Sequence, residues 1–273
     1  DDICIVTSEQ SGFHNQVNTY ITLENFDVCK ICVVDGAITI KTTNTYEQIA
    51  VTNVCLPTSP APYAHWTIRE INEQPEAVMN CLNRGGRILN EREVKLGGLD
   101  SQKETLDGVE HMVLLGCGSS YNAALYGAHF MKLLCNFTTV QVIDGAELTS
   151  RDIPRRDRTA FVLISQSGET IDLHRCLAIA KDNEIITMGV VNVVDSLIAR
   201  EVDCGVYCNT GPEVGVASTK SFTSQVVCLS LISIWFSQIH DLNVSLRMGV
   251  IESLRNLSND YMETIVLVKT QLP

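Results

Sequence analysis

The alternation of apolar runs with helical stretches after residue 110 most constrains the fold. The apolar runs predict strands at residues 112–116, 140–143, 159–164, 185–191 and 205–208, and the stretches between them carry the apolar spacing of helices. Apolar strands that are joined by helices form a parallel sheet covered on both faces. The sequence therefore predicts a doubly wound α/β fold with a five-stranded parallel sheet flanked by helices.

Hydroxyl side chains follow two of the predicted strands. Ser119 and Ser120 come after the first strand, and Ser165, Ser167 and Thr170 lie at the turn after the third. Ligands of such sheets bind beyond the carboxyl ends of the strands, where the free amide groups and the dipole of a helix N-terminus favour an anion, especially phosphate. The two turns together predict a phosphate site. Taken alone, the second turn leaves equally open that Ser167 or Thr170 only caps the following helix.

A third polar loop runs from Gly211 to Lys220 and leads into the apolar stretch 226–236. Lys220 could neutralise a ligand or face solvent, and Ser218 could contact a ligand or cap the helix; spacing alone leaves both pairs open. For Glu213 we expect a carboxylate that braces the loop or is solvated. The apolar stretch is far shorter than a membrane span, so we expect a buried helix and no membrane partner.

Charge and cysteine usage exclude several classes of function. The formal net charge is −12, and no basic stripe is present, so we expect no nucleic-acid partner. The 11 cysteines are odd in number and scattered, and the first residues do not resemble a signal peptide, which favours the reducing cytoplasm. Cys29 and Cys32 form a CxxC, but in a strand the two thiols point to opposite faces. We therefore expect neither a metal nor a cofactor.

The residues before the predicted sheet differ in pattern. Strand-like runs at 3–7, 16–23, 28–34 and 37–42, with a turn at residues 34–36, make the first 57 residues β-rich. A stiff spacer with prolines at 57, 60 and 62 follows. Residues 65–82 predict a helix that must stop, kink or restart at Pro75, because proline lacks the amide hydrogen. Residues 251–268 predict a last amphipathic helix.

Other nucleotide and hydrolase motifs are missing from the sequence. No GxGxxG follows a predicted strand, and no GxxxxGK[ST] occurs, so neither a dinucleotide nor a P-loop site is indicated. No GxSxG surrounds the serines of the second turn, which argues against a hydrolase.

Three motifs in order resemble one family. Residues 117–121 (CGSSY), 165–170 (SQSGET) and 215–220 (GVASTK) are similar to the first sugar isomerase (SIS) domain of the glutamine:fructose-6-phosphate aminotransferases, the isomerising glucosamine-6-phosphate synthases. Residues 73–76 and 96–99 resemble the segment ahead of that domain, and residues 1–45 resemble the tail of the family's glutaminase domain. The resemblance covers nearly the whole chain.

The resemblance implies a reaction and a set of site residues. The family converts fructose 6-phosphate and glutamine into glucosamine 6-phosphate and glutamate, the first step toward UDP-N-acetylglucosamine. The resemblance assigns the phosphate to the hydroxyls and amides of Ser120, Ser165, Gln166, Ser167 and Thr170, with Ser119 where the family often has threonine. It assigns the sugar to the loop residues Val216, Ala217 and Ser218.

The departures from the family limit the expected activity. No motif of the 273 residues matches the catalytic cysteine of the glutaminase, or the family's ring-opening histidine, isomerisation glutamate and Schiff-base lysine, which lie in a second SIS domain. Lys220 does not match that lysine. We therefore expect no catalytic residue in this chain, and sugar-phosphate binding without turnover.

The expected organisation has four segments: a glutaminase tail at 1–57, a linker and helical lead-in at 58–108, a first SIS domain at 109–245, and a helix at 246–273 leading toward a second SIS domain. The partners implied are a hexose 6-phosphate and either a second copy of the chain or a second SIS domain. The alternative function is a non-catalytic SIS module that senses a sugar phosphate.

Overall fold

Residues 3–7, 12, 16–24, 26–51, 59–156 and 158–271 are described by the structure, a computed structural model. The chain divides into two units, residues 1–59 and residues 60–273.

The first unit contains two small antiparallel sheets. In one, β1 (Thr19–Tyr20) pairs with β4 (Ile49–Ala50), and in the other β2 (Cys29–Val34) pairs with β3 (Ala37–Thr42) across a two-residue turn, which confirms the predicted hairpin. The strand predicted at residues 3–7 is wrong, and that at 16–23 shrinks to β1, because no further described strand lies alongside to complete their hydrogen bonds. Residues 57 and 58 of the predicted spacer lie outside the described residues.

The second unit begins with a helix that passes through a proline. Helix α1 (Trp66–Cys81) continues through Pro75, so two of the three predicted outcomes, a stop and a restart, are wrong. The Nε2 of Gln74 donates a hydrogen bond to the carbonyl of Ile71 at 3.2 Å, and this carbonyl would otherwise bond the amide that proline lacks. A 3₁₀ turn and two short helices follow, at Asn83–Gly85, α2 (Gly97–Asp100) and α3 (Lys103–Asp107).

A five-stranded parallel sheet forms the centre of the second unit, as predicted. Its strands, in chain order, are β5 (His111–Gly116), β6 (Thr139–Asp144), β7 (Thr159–Ser165), β8 (Ile186–Val191) and β9 (Cys204–Tyr207). They lie in the order β6-β5-β7-β8-β9, and every neighbouring pair is parallel. The helices that connect and follow the strands are α4 (Ser119–Leu134), α5 (Ile171–Asp182), α6 (Leu197–Glu201), α7 (Lys220–Ile239) and α8 (Val244–Gln271).

Helices cover both faces of this sheet. Alternate residues of a strand point to opposite faces, and in β5 Met112 and Leu114 join a core with α1, α4, α7 and α8. Val113 and Leu115 join a second core with α5 and α6. The sheet is therefore doubly wound, and its strands are apolar on both sides because both sides are buried.

Helix α7 lies inside the larger core. By length and composition alone it could cross a membrane, but 78% of its apolar window is buried within the structure. Core helices of folded proteins pass the same test, and one such helix is weak evidence for a membrane span. The prediction of a buried helix in this stretch is confirmed, although α7 extends well beyond residues 226–236.

Candidate functional site

The serine loop, residues 165–170, joins β7 to α5 and is organised by its own hydroxyl groups. The hydroxyls of Ser165 and Thr170 are hydrogen-bonded at 2.9 Å, and the Ser165 oxygen also accepts the amide of Gly168 at 3.0 Å. The Ser167 oxygen accepts the amide of Glu169 at 3.1 Å. These bonds fix a tight turn between the end of the strand and the start of the helix.

The capping alternative does not describe this turn. Thr170 occupies the N-cap position of α5, but no side chain there caps the helix, since its hydroxyl is bonded to Ser165. Ser167 bonds an amide that precedes the helix. Helix α4 also begins at Ser119 without a side-chain cap. In the described part of the chain, both helices therefore start with amide groups that a ligand could use.

Gly168 can only be glycine in this turn. Its φ is +71°, a conformation that other residues adopt at a cost. A Cβ at this position would lie 2.0 Å from the Oγ of Ser196, at the N-terminus of α6. The carbonyl of Gly168 also accepts the amide of Ile198 at 3.0 Å, so the serine loop is packed directly against α6.

The first turn, residues 117–120 after β5, lies beside the serine loop at the same edge of the sheet. Strands β5 and β7 are parallel neighbours, with Gly116 paired to Ile164. The residues that follow them, Ser119 and Ser120 in one case and the serine loop in the other, therefore leave the sheet side by side. Ser120 is buried, whereas Ser119, Gln166 and Ser167 are half-buried.

The third polar loop, residues 211–219, is called the sugar loop after the contacts that the resemblance implies. It follows β9 and places Val216, Ala217 and Ser218 at the surface. Val216 is 105% exposed, so packing against the chain does not hold it. The Oγ of Ser218 is hydrogen-bonded to that of Ser221 at 2.8 Å. Glu213 accepts the amides of Thr219 at 3.0 Å and Ser221 at 3.1 Å, so it braces the loop against the start of α7, one of the two roles expected for it.

Asn192 joins the serine loop to the sugar loop, and the sequence reasoning missed it. Its amide donates to the carbonyl of Gln166 at 3.2 Å. Its side chain donates to the carbonyl of Gly211 at 2.9 Å and accepts the amide of Thr210 at 2.8 Å. Asn192 directly follows β8, so the same rule that found the serines, a polar residue at the carboxyl end of a strand, could have found it.

Gln225 on α7 reaches the first turn and was also missed. Its Nε2 donates to the Oγ of Ser120 at 3.0 Å, and Gln225 is 1% exposed. An amide nitrogen can only donate, so the Ser120 oxygen is engaged as an acceptor and its hydrogen remains free to be donated to a ligand. The Oε1 of Gln225 is buried and has no hydrogen-bond partner among the described residues.

The position of Lys220 fits neither alternative, neutralising a ligand or facing solvent. Its Nζ lies 2.6 Å from Glu73 of α1, and Lys220 is only 5% exposed. It therefore faces neither solvent nor a ligand. Burial raises the pKa of Glu73, but hydrogen bonds from Lys220 and Arg69 outweigh it and hold that pKa below its ordinary value.

Within the ranges that the structure describes, no group of 3 or more His, Cys, Asp and Glu side chains is placed to hold a metal ion. The cysteines that the structure describes are free thiols.

Comparison with known proteins gives the family of the second unit. Residues 106–234 match the SIS domain family. This segment of the chain is therefore similar to a SIS domain. The SIS domain so defined begins just before β5 and ends within α7, so it contains the first turn, the serine loop and the sugar loop.

The relatives of this SIS domain confirm the resemblance read from the motifs. The chain is 40% identical over 230 residues to a "probable glutamine–fructose-6-phosphate aminotransferase [isomerizing]" of Acanthamoeba polyphaga mimivirus, covering 84% of the chain and 37% of the relative. It is 38% identical over 200 residues to the human glutamine–fructose-6-phosphate aminotransferase 2, covering 73% of the chain and 29% of the relative. The chain thus spans about a third of the length of these relatives.

Solved structures agree with this assignment. The C-terminal domain of glucosamine-fructose-6-phosphate aminotransferase from Francisella tularensis superposes with a TM-score of 0.67 at 31% identity, covering 74% of this chain and 56% of that one. Glucosamine-6-phosphate deaminase from Thermotoga maritima matches with a TM-score of 0.52 at 20% identity, covering 69% of this chain and 53% of that one. The second match shows the shared SIS fold alone.

Proposed function

We propose that the chain binds a hexose 6-phosphate at the carboxyl edge of its parallel sheet, as the fructose-6-phosphate-binding part of a glutamine:fructose-6-phosphate aminotransferase. One observation carries the proposal. The turns after the neighbouring strands β5 and β7 bring hydroxyl groups to the starts of α4 and α5, and no side chain of the described residues caps either helix. Two uncapped helix N-termini that follow neighbouring strands at one edge of the sheet favour a phosphate.

The proposed phosphate ligands are Ser119, Ser120, Ser165, Gln166, Ser167 and Thr170. Lysine plays no part, since Lys220 is engaged by Glu73. In a chain of net charge −12, the phosphate is then held by local hydroxyl and amide groups, which act over short distances. The proposed sugar contacts are Val216, Ala217 and Ser218, and the link through Asn192 between Gln166 and Gly211 supports a site shared by the two loops.

The further parts of the proposal concern the protein beyond this site. We propose that the chain alone binds without turnover, that turnover requires groups of a second SIS domain, and that the chain pairs with such a domain or with its own copy. The proposed organisation is the one expected above, with boundaries at 57, 108 and 245, and the proposed location is the cytoplasm.

Calorimetric titration with glucose 6-phosphate tests the binding site. Ser167→Ala should weaken binding by about 1–3 kcal/mol, because a hydrogen bond to a charged group is lost. The control is Ser253→Ala on α8, whose hydroxyl bonds the carbonyl of Gly249 at 2.9 Å and which should leave affinity unchanged. Equal affinity of the wild type and Ser167→Ala would assign Ser167 only to the internal bond with Glu169.

A complementation assay separates the enzyme part from the sensing module. The chain is incubated with fructose 6-phosphate and an ammonia source, with and without a supplied C-terminal SIS half of a related aminotransferase. Glucosamine 6-phosphate formed only on complementation supports the aminotransferase. Binding without product in either case supports the non-catalytic module.

A further inference from the structure

The backbone of the sugar loop is held by a carboxylate from helix α1. One oxygen of Glu70, Oε1, accepts the amides of Val214 at 2.6 Å and Gly215 at 2.9 Å. Glu70 is only 1% exposed. The two amides share this one oxygen, so the contact anchors both residues of the loop to the helix.

The contact leaves no room between the helix and the loop. A Cβ at position 215 would lie 2.5 Å from the Oε2 of Glu70, so Gly215 is required for the close approach. This Oε2 is buried and lacks a partner within the described residues. The carboxylate is therefore committed to the loop, because the two amides are the only hydrogen-bond donors that those residues direct at it.

The anchor lies directly before the residues assigned to the sugar. Val214 and Gly215 precede Val216, Ala217 and Ser218, all three of which are exposed. Since exposed side chains gain little from packing, the position of this stretch depends on its ends. Glu70 holds the first end, and Glu213, through Thr219 and Ser221, holds the second.

We propose that Glu70 is a positioning residue for sugar recognition: it sets the place of residues 216–218 and has no part in holding the phosphate. The inference rests on the proposed function. Glu70 lies on α1, outside residues 106–234 that match the SIS family, so the site depends on a residue from beyond its own domain segment.

Two ligands separate this role from a general loss of structure. Glucose 6-phosphate uses both the serine loop and the sugar loop, whereas inorganic phosphate uses only the first. Glu70→Ala removes the anchor, so residues 216–218 must be ordered when the ligand binds. The cost of this ordering should lower the affinity for glucose 6-phosphate about tenfold or more. The affinity for inorganic phosphate should change by less than about twofold, because the phosphate ligands keep their contacts.

Further variants control the experiment. Glu70→Gln keeps a carbonyl oxygen that can accept both amides and should recover part of the affinity for glucose 6-phosphate. Gly215→Ala disturbs the same contact from the loop side and should reproduce the selective loss. Glu76→Ala, on the same helix with a side chain 71% exposed, should change neither affinity. Amide hydrogen exchange of Glu70→Ala should rise in residues 211–219 and not in 165–170.

The outcomes are distinct. Selective loss of the sugar phosphate in Glu70→Ala and Gly215→Ala supports the role. Parallel loss of both ligands, or unchanged affinity for both, overturns it while leaving the phosphate site standing. A wild-type chain that binds neither ligand overturns the proposed function, and the positioning role with it.

Discussion

Gln225→Leu separates the stability of the core from the affinity of the proposed phosphate site. Gln225 donates to Ser120 at 3.0 Å, while its Oε1 is buried without a partner in the described chain. Leucine has a similar size, so the change mainly removes these two polar atoms. Leaving the buried Ser120 hydroxyl without its donor costs about 1–3 kcal/mol, and removal of an unpaired buried acceptor returns about 1–3 kcal/mol. We therefore expect the two effects to offset, so that the variant is about as stable as the wild type.

The affinity for glucose 6-phosphate should fall. Without the Nε2 of Gln225, the hydroxyl of Ser120 is free to turn, and a bond to a charged phosphate worth at most about 1.5–3 kcal/mol is weakened. We expect glucose 6-phosphate to bind about tenfold more weakly. Because Gln225 acts through Ser120, Gln225→Leu should have no further effect when it is combined with Ser120→Ala.

Urea unfolding and calorimetric titration of the four chains of this cycle measure both quantities. The matched control is Gln238→Leu, also on α7, because both polar atoms of Gln238 are bonded to Val94, at 2.9 and 3.3 Å. It should lose stability and keep its affinity. A clear loss of stability in Gln225→Leu, or an equal loss of affinity with and without the Ser120 hydroxyl, would refute the reasoning.

Gly168→Ala tests the serine loop with Gly249→Ala as its control, and Lys220→Met tests the contact between α1 and α7. Gly168→Ala should destabilise the chain by about 1–3 kcal/mol, since φ is +71° and the methyl group would meet Ser196. Gly249→Ala in α8, where a Cβ meets nothing within 4 Å, should instead stabilise the chain by about 0.5–1 kcal/mol. Urea unfolding compares the two variants, and equal changes in stability would contradict the special role of Gly168. Lys220→Met should lose about 1–3 kcal/mol at pH 7, because it removes the charged donor of a hydrogen bond to the partly buried Glu73. The pKa of Glu73 lies below its ordinary 4.5, so the stability that this carboxylate contributes is present above pH 4.5 and is lost as the pH falls through the lowered pKa. Urea unfolding at pH 7 and pH 4 should therefore show a weaker pH dependence of stability in Lys220→Met than in the wild type. An identical pH dependence would contradict the assignment of Lys220 as a cause of the lowered pKa.

The sheet and the two hydroxyl-rich turns could be predicted because their signals are local. Each strand is a continuous apolar run, and the hydroxyl residues directly follow two of those runs. Because parallel strands end at one edge of a sheet, the sequence alone predicts that Ser120 and the serine loop lie at the same edge.

The residues that were missed act over long separations. Gln225 contacts Ser120 across 105 positions, and Glu70 contacts Val214 across 144. The two alternatives for Lys220 both failed because its partner, Glu73, lies 147 positions away. At Pro75 the local rule gave way to a neighbouring side chain, Gln74, that satisfies the exposed carbonyl.

The packing of α1 against α7 makes the cooperative unit larger than the segment by which its family is recognised. Val78, Cys81 and Leu99 belong to the same core as α7, although all three precede residue 106. A chain trimmed to the family match would keep every proposed phosphate ligand in its sequence and still expose the apolar underside of α7. The family match gives the segment that is shared with SIS domains. A truncated chain that keeps the core intact must begin upstream of residue 66, ahead of the whole of α1.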